Sequence, residues 1–175
     1  MDKARPVKNA RHRINQEINQ DREDEMSSSQ ANNEREFALW RMKRVHTGDA
    51  PRRVLVAHKD KSIGESLAVQ LRLKGLQVIL SQDLKSVRAL VNSWKPQALI
   101  VDTSLDSESG YVFIRTLRMD VDVTGRLLVA LSNVLPADPV QTLKEAGFDA
   151  HCRRPCSTWR IVEMVEAFFS APATR

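Results

Sequence analysis

With 175 residues, the chain has room for one domain of ordinary size plus an extension, and too little for two full catalytic domains. Its composition, 42% hydrophobic and 28% charged, excludes a wholly disordered chain. The formal charge of +5 divides into +3 over residues 1–53 and +2 over 54–175, too evenly spread for a basic patch, so nucleic acid is not an expected partner.

Residues 1–33 are poor in aliphatics, with Ile14 and Ile18 almost alone among Asn, Gln, Arg, Asp and Glu. Such a segment cannot bury enough apolar surface to offset its ordering entropy, and it reads as a disordered polar extension. Residues 34–46 (EREFALWRMKRVH) place acids first, bases last and strong helix formers between them, which predicts a short amphipathic helix aligned with its macrodipole. Phe37, Leu39, Trp40 and Met42 give it a broad apolar face, to be covered either by the body of the domain or by a partner, a second subunit or a membrane surface. Thr47 to Arg52 (TGDAPR) reads as a linker.

From Arg53 the pattern becomes a regular alternation of short apolar runs and helical stretches, continuing to residue 170 and followed by a tail, 171–175. Val54–Ala57 reads as a buried strand and Ser62–Lys74 as a helix closed by Gly75 in a left-handed cap. Further strands are expected at Gln77–Leu80, Ala98–Val101, Leu127–Leu131 and Ala150–Arg153. The helices between them fall at Leu84–Trp94, Tyr111–Arg118 and Pro139–Ala146, with a last one from a Ser157 or Thr158 cap to Phe169. Five strands alternating with helices require right-handed crossovers, hence an α/β, doubly wound five-stranded parallel sheet with an N-terminal extension. In such sheets function sits outside the carboxyl ends of the strands.

Asp102 stands at such an end, after ALIV. Ser132 follows LLVAL thirty residues on, Arg154 and Pro155 follow fifty-two and fifty-three residues after Asp102, and Gly110 lies eight beyond it. In this spacing the chain resembles the response regulator receiver (CheY-like) family, a flavodoxin-like fold. The resemblance covers 53–170. It implies that Asp102 takes the phosphoacceptor position, Ser132 the switch Ser/Thr position, His151 the aromatic switch position and Arg154 that of the family's lysine before proline. It also implies a place in two-component (phosphorelay) signalling, with a histidine kinase or an output protein as partner. The face made by the last helix, the fourth helix and strand five is the family's usual output and dimerisation surface, so a homodimer through it is expected as an option.

The departures from the family are specific. Where receivers place two adjacent acids after the first strand, VLVAHKDKS has His58 and Lys59. Magnesium prefers hard oxygen ligands, and phosphoryl transfer relies on it to neutralise developing charge. Two unit charges about 4 Å apart interact by roughly 4 kcal/mol at an effective dielectric near 20, so exchanging two acids for a histidine and a cation argues against the metal. Asp60 lies one place further along and would need a register shift to substitute. Lys59 is expected to pair with Asp102, and Arg154 to clamp it bidentately. Asp106, where the family usually has proline, reads as a solvated loop acid rather than a surrogate ligand.

No metal or cofactor is expected. His58, His151, Cys152 and Cys156 are all possible zinc ligands, but neighbours 151 and 152 point to opposite faces of a strand. The cysteines read as reduced structural thiols. Glycine-rich phosphate loops and the G-x-S-x-G elbow are lacking, so the chain is expected not to be an enzyme. The sequence holds no run of about 18 apolar residues and no apolar N-terminal stretch, which predicts a cytoplasmic protein without a membrane span. The leading expectation is an atypical receiver acting as a protein-interaction module without normal magnesium-dependent phosphorylation. The alternative is a conventional response regulator phosphorylated on Asp102 by a histidine kinase.

Overall fold

The computed structural model describes residues 36–41, 50–119, 125–133 and 138–170. In chain order the strands are β1 (Phe37–Leu39), β2 (Arg53–Ala57), β3 (Gln77–Ser81), β4 (Ala98–Asp102), β5 (Leu127–Ser132) and β6 (Ala150–Arg153). The helices are α1 (Lys61–Leu73), α2 (Leu84–Ser93), α3 (Val112–Met119), α4 (Val140–Ala146) and α5 (Thr158–Phe169). The sheet runs β1-β6-β5-β4-β2-β3, and every pairing from β6 to β3 is parallel. Strand order reverses between β2 and β4, which opens a crevice at their carboxyl ends.

Alternation along the strands divides the core between the two faces of the sheet. Val54, Val56, Ile100 and Val129 point toward α1 and α5, where they meet Leu67, Leu71, Ile161 and Val165. Leu55, Leu99, Val101 and Leu128 point toward α2, α3 and α4, against Val87, Ile114, Leu117 and Leu143. Full burial of each such side chain stabilises the fold by roughly 1.5–3 kcal/mol relative to exposure. Helix starts are set locally. The Asp60 carboxylate accepts from the Ser62 and Ile63 N–H groups at 2.8 and 3.1 Å, and Asp83 from Ser86 N–H at 2.8 Å. Gly75 takes a left-handed backbone after α1, as its sequence position predicts.

Three expectations change. Phe37–Leu39 is a strand and not part of a helix; it pairs antiparallel with β6, Phe37 opposite Cys152 and Leu39 opposite Ala150. The doubly wound parallel sheet stands, with this sixth strand added at its edge. Helix propensity lost because the open edge of β6 supplies hydrogen bonds and both faces of β1 have a place to pack. Phe37 and Leu39 join the α1/α5 side, while Trp40 joins the other. Second, Cys152 and Cys156 are disulfide-bonded rather than reduced, because the turn after β6 brings their Cα atoms to 5.9 Å. Third, β1 now holds the β6 edge that a second copy would use in the expected dimer. The expected extension over residues 1–33, residues 34–35 and 42–46 of the expected helix, linker residues 47–49 and the 171–175 tail lie outside the described residues.

Candidate functional site

The carboxyl ends of β2, β4, β5 and β6 bring His58, Asp102, Asn133 and Arg154 together. Asp102 ends β4 at 1% exposure, and its two carboxylate oxygens have separate duties. Oδ1 accepts from Ser104 N–H and Arg154 Nη2, both at 3.0 Å; Oδ2 accepts weakly from Lys59 N–H at 3.4 Å and lies 3.7 Å from His58 Nδ1. Arg154 is anchored by its own N–H on the Ser132 carbonyl at 2.8 Å. Its Nη2 also donates to the Asn133 side-chain oxygen, and its Nη1 lies 3.0 Å from His58 Nε2. The guanidinium therefore links three strand ends, and the expected bidentate clamp on Asp102 is corrected to a single bond shared with two other residues.

His58 is 1% exposed, and its Nδ1 accepts from the Asp60 N–H at 3.0 Å. Donors thus approach both ring nitrogens, and a neutral imidazole can accept at only one. Burial is the main reason its pKa falls below the ordinary value; the Asp102 carboxylate opposes that shift and the Arg154 charge adds to it. Lys59 corrects another expectation: its side chain is exposed, and among the described residues it reaches Asp102 only through the backbone. Asp60 faces away as the α1 cap, so no register shift returns it to the site.

Asp106 is also corrected. At 2% exposure it is not a solvated acid; Ser109 Oγ donates to it at 2.6 Å, and Ile114 N–H donates at 3.2 Å from the start of α3. Two further residues escaped sequence reading. Asn133 had a signal, since it directly follows the switch-position serine. Asp138 had none: it accepts from Thr103 Oγ1 at 2.6 Å and from the Tyr111 hydroxyl, tying the loop after β4 to the segment before α4. Burial, then the Asp138 carboxylate, raises the Tyr111 pKa. Ser132 is fully buried, and its hydroxyl has no partner among the described residues. His151 is separate from this cluster, buried and stacked on Trp40 with centroids 5.8 Å apart.

These residues do not suit the divalent cation that a receiver-like site implies. Asp102 is the one carboxylate in the cluster, its Oδ1 is held by Arg154, and an imidazole and an arginine stand where further oxygen ligands would be needed. Among the described residues no group of three or more His, Cys, Asp or Glu side chains converges to hold a metal. Five parallel strands in this order, with Asp102 ending the central strand and Arg154 just after β6, match the receiver arrangement. The chain has the receiver fold.

Solved receiver structures agree. A response regulator signal receiver domain from Bermanella marisrubri superposes with a TM-score of 0.60 at 18% identity, covering 68% of this chain and 98% of that one. Chemotaxis response regulator CheY4 of Vibrio cholerae gives 0.60 at 17% identity, covering 69% and 100%. In sequence, response regulator MprA of Mycolicibacterium vanbaalenii is 34% identical over 100 residues, 57% of this chain. The chain spans 41% of the length of that relative. No protein-family model matches the chain. No described helix is long and apolar enough to cross a membrane.

Proposed function

We propose that this receiver is a cytoplasmic, non-enzymatic interaction module of two-component signalling that works without magnesium-dependent phosphorylation. The observation that carries the reading is Arg154 bridging Asp102, His58 and Asn133. The one carboxylate of the cluster is engaged by Arg154, and among the described residues no group of three or more His, Cys, Asp or Glu side chains converges to bring in a dication that would balance a transferred phosphoryl group. The site then acts as a fixed brace holding the ends of β2, β4, β5 and β6. The similarity to response regulator MprA favours a signalling protein, kinase or output, as the partner. That partner would meet the side formed by α4, β6 and α5, where β1 already fills the sheet edge and Trp159 is 54% exposed. A homodimer on this side would dock outside β1 and not on β6 itself.

The test is incubation of the full chain with magnesium and a small phosphodonor, followed by intact mass. The expected result is an unchanged mass. A single added phosphoryl group that disappears in Asp102→Asn would replace this reading with that of a conventional phosphoacceptor.

A further inference from the structure

We propose that Cys152 and Cys156 are a thiol-oxidation site whose state sets how Arg154 engages Asp102 and His58. The disulfide brackets the tripeptide Arg153-Arg154-Pro155, so the residue that organises the crevice lies inside the covalent loop. One end of that loop is rigid. Cys152 is fully buried within β6, in register with Leu131 of β5 and Phe37 of β1. The other end is not in the sheet: Cys156 is half-buried and precedes α5. Closing the bond ties the outgoing chain back to the strand and fixes the point from which the Arg154 side chain reaches the crevice. In the reduced protein the Arg154 N–H bond to the Ser132 carbonyl remains, but the segment beyond it is no longer held to Cys152.

A bond closing so short a loop gains little from chain entropy compared with one spanning a domain, so general stabilisation is a poor account of it. Its placement around Arg154 is a better one. The exchange is balanced with a dithiol reductant. A reductant thiolate attacks Cys156 Sγ, the accessible sulfur; the Cys152–Cys156 bond breaks and Cys152 leaves as a thiolate that takes a proton. The second reductant thiolate then attacks the reductant's own sulfur in the mixed disulfide, releasing Cys156 as a thiolate that takes a second proton. Two electrons and two protons pass to the protein, and the reductant ends as its disulfide. Oxidised glutathione supplies the reverse reaction. The inference holds whether or not Asp102 ever accepts a phosphoryl group.

The amides of Lys59 and Ser104 both donate to the Asp102 carboxylate and so report on its surroundings. The full chain is equilibrated with oxidised glutathione or with dithiothreitol, its thiol state is read from intact mass, and amide spectra of the two forms are compared. Oxidation should remove two hydrogens from the protein, and reduction should shift the Lys59 and Ser104 signals. In Arg154→Ala the disulfide should still form while those two signals stop responding to it. The double variant Cys152→Ala/Cys156→Ser should match the reduced wild type at both positions and ignore oxidant. Unmoved Lys59 and Ser104 signals on reduction of the wild type would overturn the proposal, as would cysteines that keep both hydrogens in excess oxidant.

Discussion

Two buried carboxylates, each paired with an arginine, sit at opposite ends of the sheet and behave differently. Asp149, just before β6, is fully buried, and its Oδ2 accepts from Leu128 N–H at 2.8 Å and from Arg118. Arg118 commits its other nitrogens nearby, to the carbonyls of Gly147 at 2.5 Å and Arg126 at 3.2 Å. Every bond of that clasp ties α3, β5 and the approach to β6 together. At the other end, Arg154 divides one guanidinium among a carboxylate, an amide and an imidazole, and its side chain is 23% exposed. The same pair chemistry serves as a rivet in one place and as a shared brace in the other. What separates them is how the donors are divided, one nitrogen to each partner at Arg118 but Nη2 shared between Asp102 and Asn133 at Arg154, and how much water reaches the guanidinium.

The largest expected effect is at the rivet. Asp149→Ala leaves the Arg118 charge, 13% exposed, without its carboxylate and should cost roughly 3–5 kcal/mol in urea unfolding. Next is Trp40→Ala, on the same end: the indole N–H bonds the Phe148 carbonyl at 2.6 Å, and the Trp40 N–H bonds the Asp149 carbonyl at 3.0 Å. Losing that bond and the His151 stack should cost about 2 kcal/mol, with faster hydrogen exchange confined to β1 and β6. At the brace, Arg154→Ala should cost only about 1–2 kcal/mol, because removing a side chain that is 23% exposed lets water reach the Asp102 carboxylate left behind, which also keeps the Ser104 and Lys59 N–H donors. A loss equal to that of Asp149→Ala would erase the distinction between the two pairs.

The smallest effect is a slope with pH. His58 binds its proton less readily folded than unfolded, so acid favours the unfolded chain. Its contribution is complete above the unfolded value of 6.5 and is lost as pH falls from there toward the lower folded value. The melting temperature of the wild type should therefore drop more steeply below pH 6.5 than that of His58→Gln. Parallel curves would remove His58 from the brace. Asp102, Arg154 and the Asp60 N–H face position 58, and the Asp60 carboxylate caps α1, in both proteins, so the difference between the two curves isolates the imidazole.

Much of the fold was legible because burial repeats with a period. The runs VLVA, ALIV and LLVAL are apolar throughout because their strands are covered on both faces, and Gly75 marks the end of α1. Asp102, Arg154 and His58 were legible as strand-end residues, since topology alone carries such positions to the crevice. Their bonding was not. Whether Arg154 spends its donors on one carboxylate or on three residues depends on side-chain geometry across 96 positions of chain, and Lys59 could turn to solvent as readily as inward. Phe37–Leu39 was misread for a related reason. Local propensity favours a helix there, and only the open edge of β6, more than a hundred residues away, makes a strand the better answer.

That short strand also bears on how the protein can be handled. The segment resembling receivers begins at Arg53, which makes residue 53 an inviting point at which to trim the chain. Trimming there would remove β1 and uncover the backbone N–H and C=O groups of β6 beside His151 and Cys152, an open edge ready to pair with the next molecule. Self-association of a shortened protein would then report the cut and not the physiology.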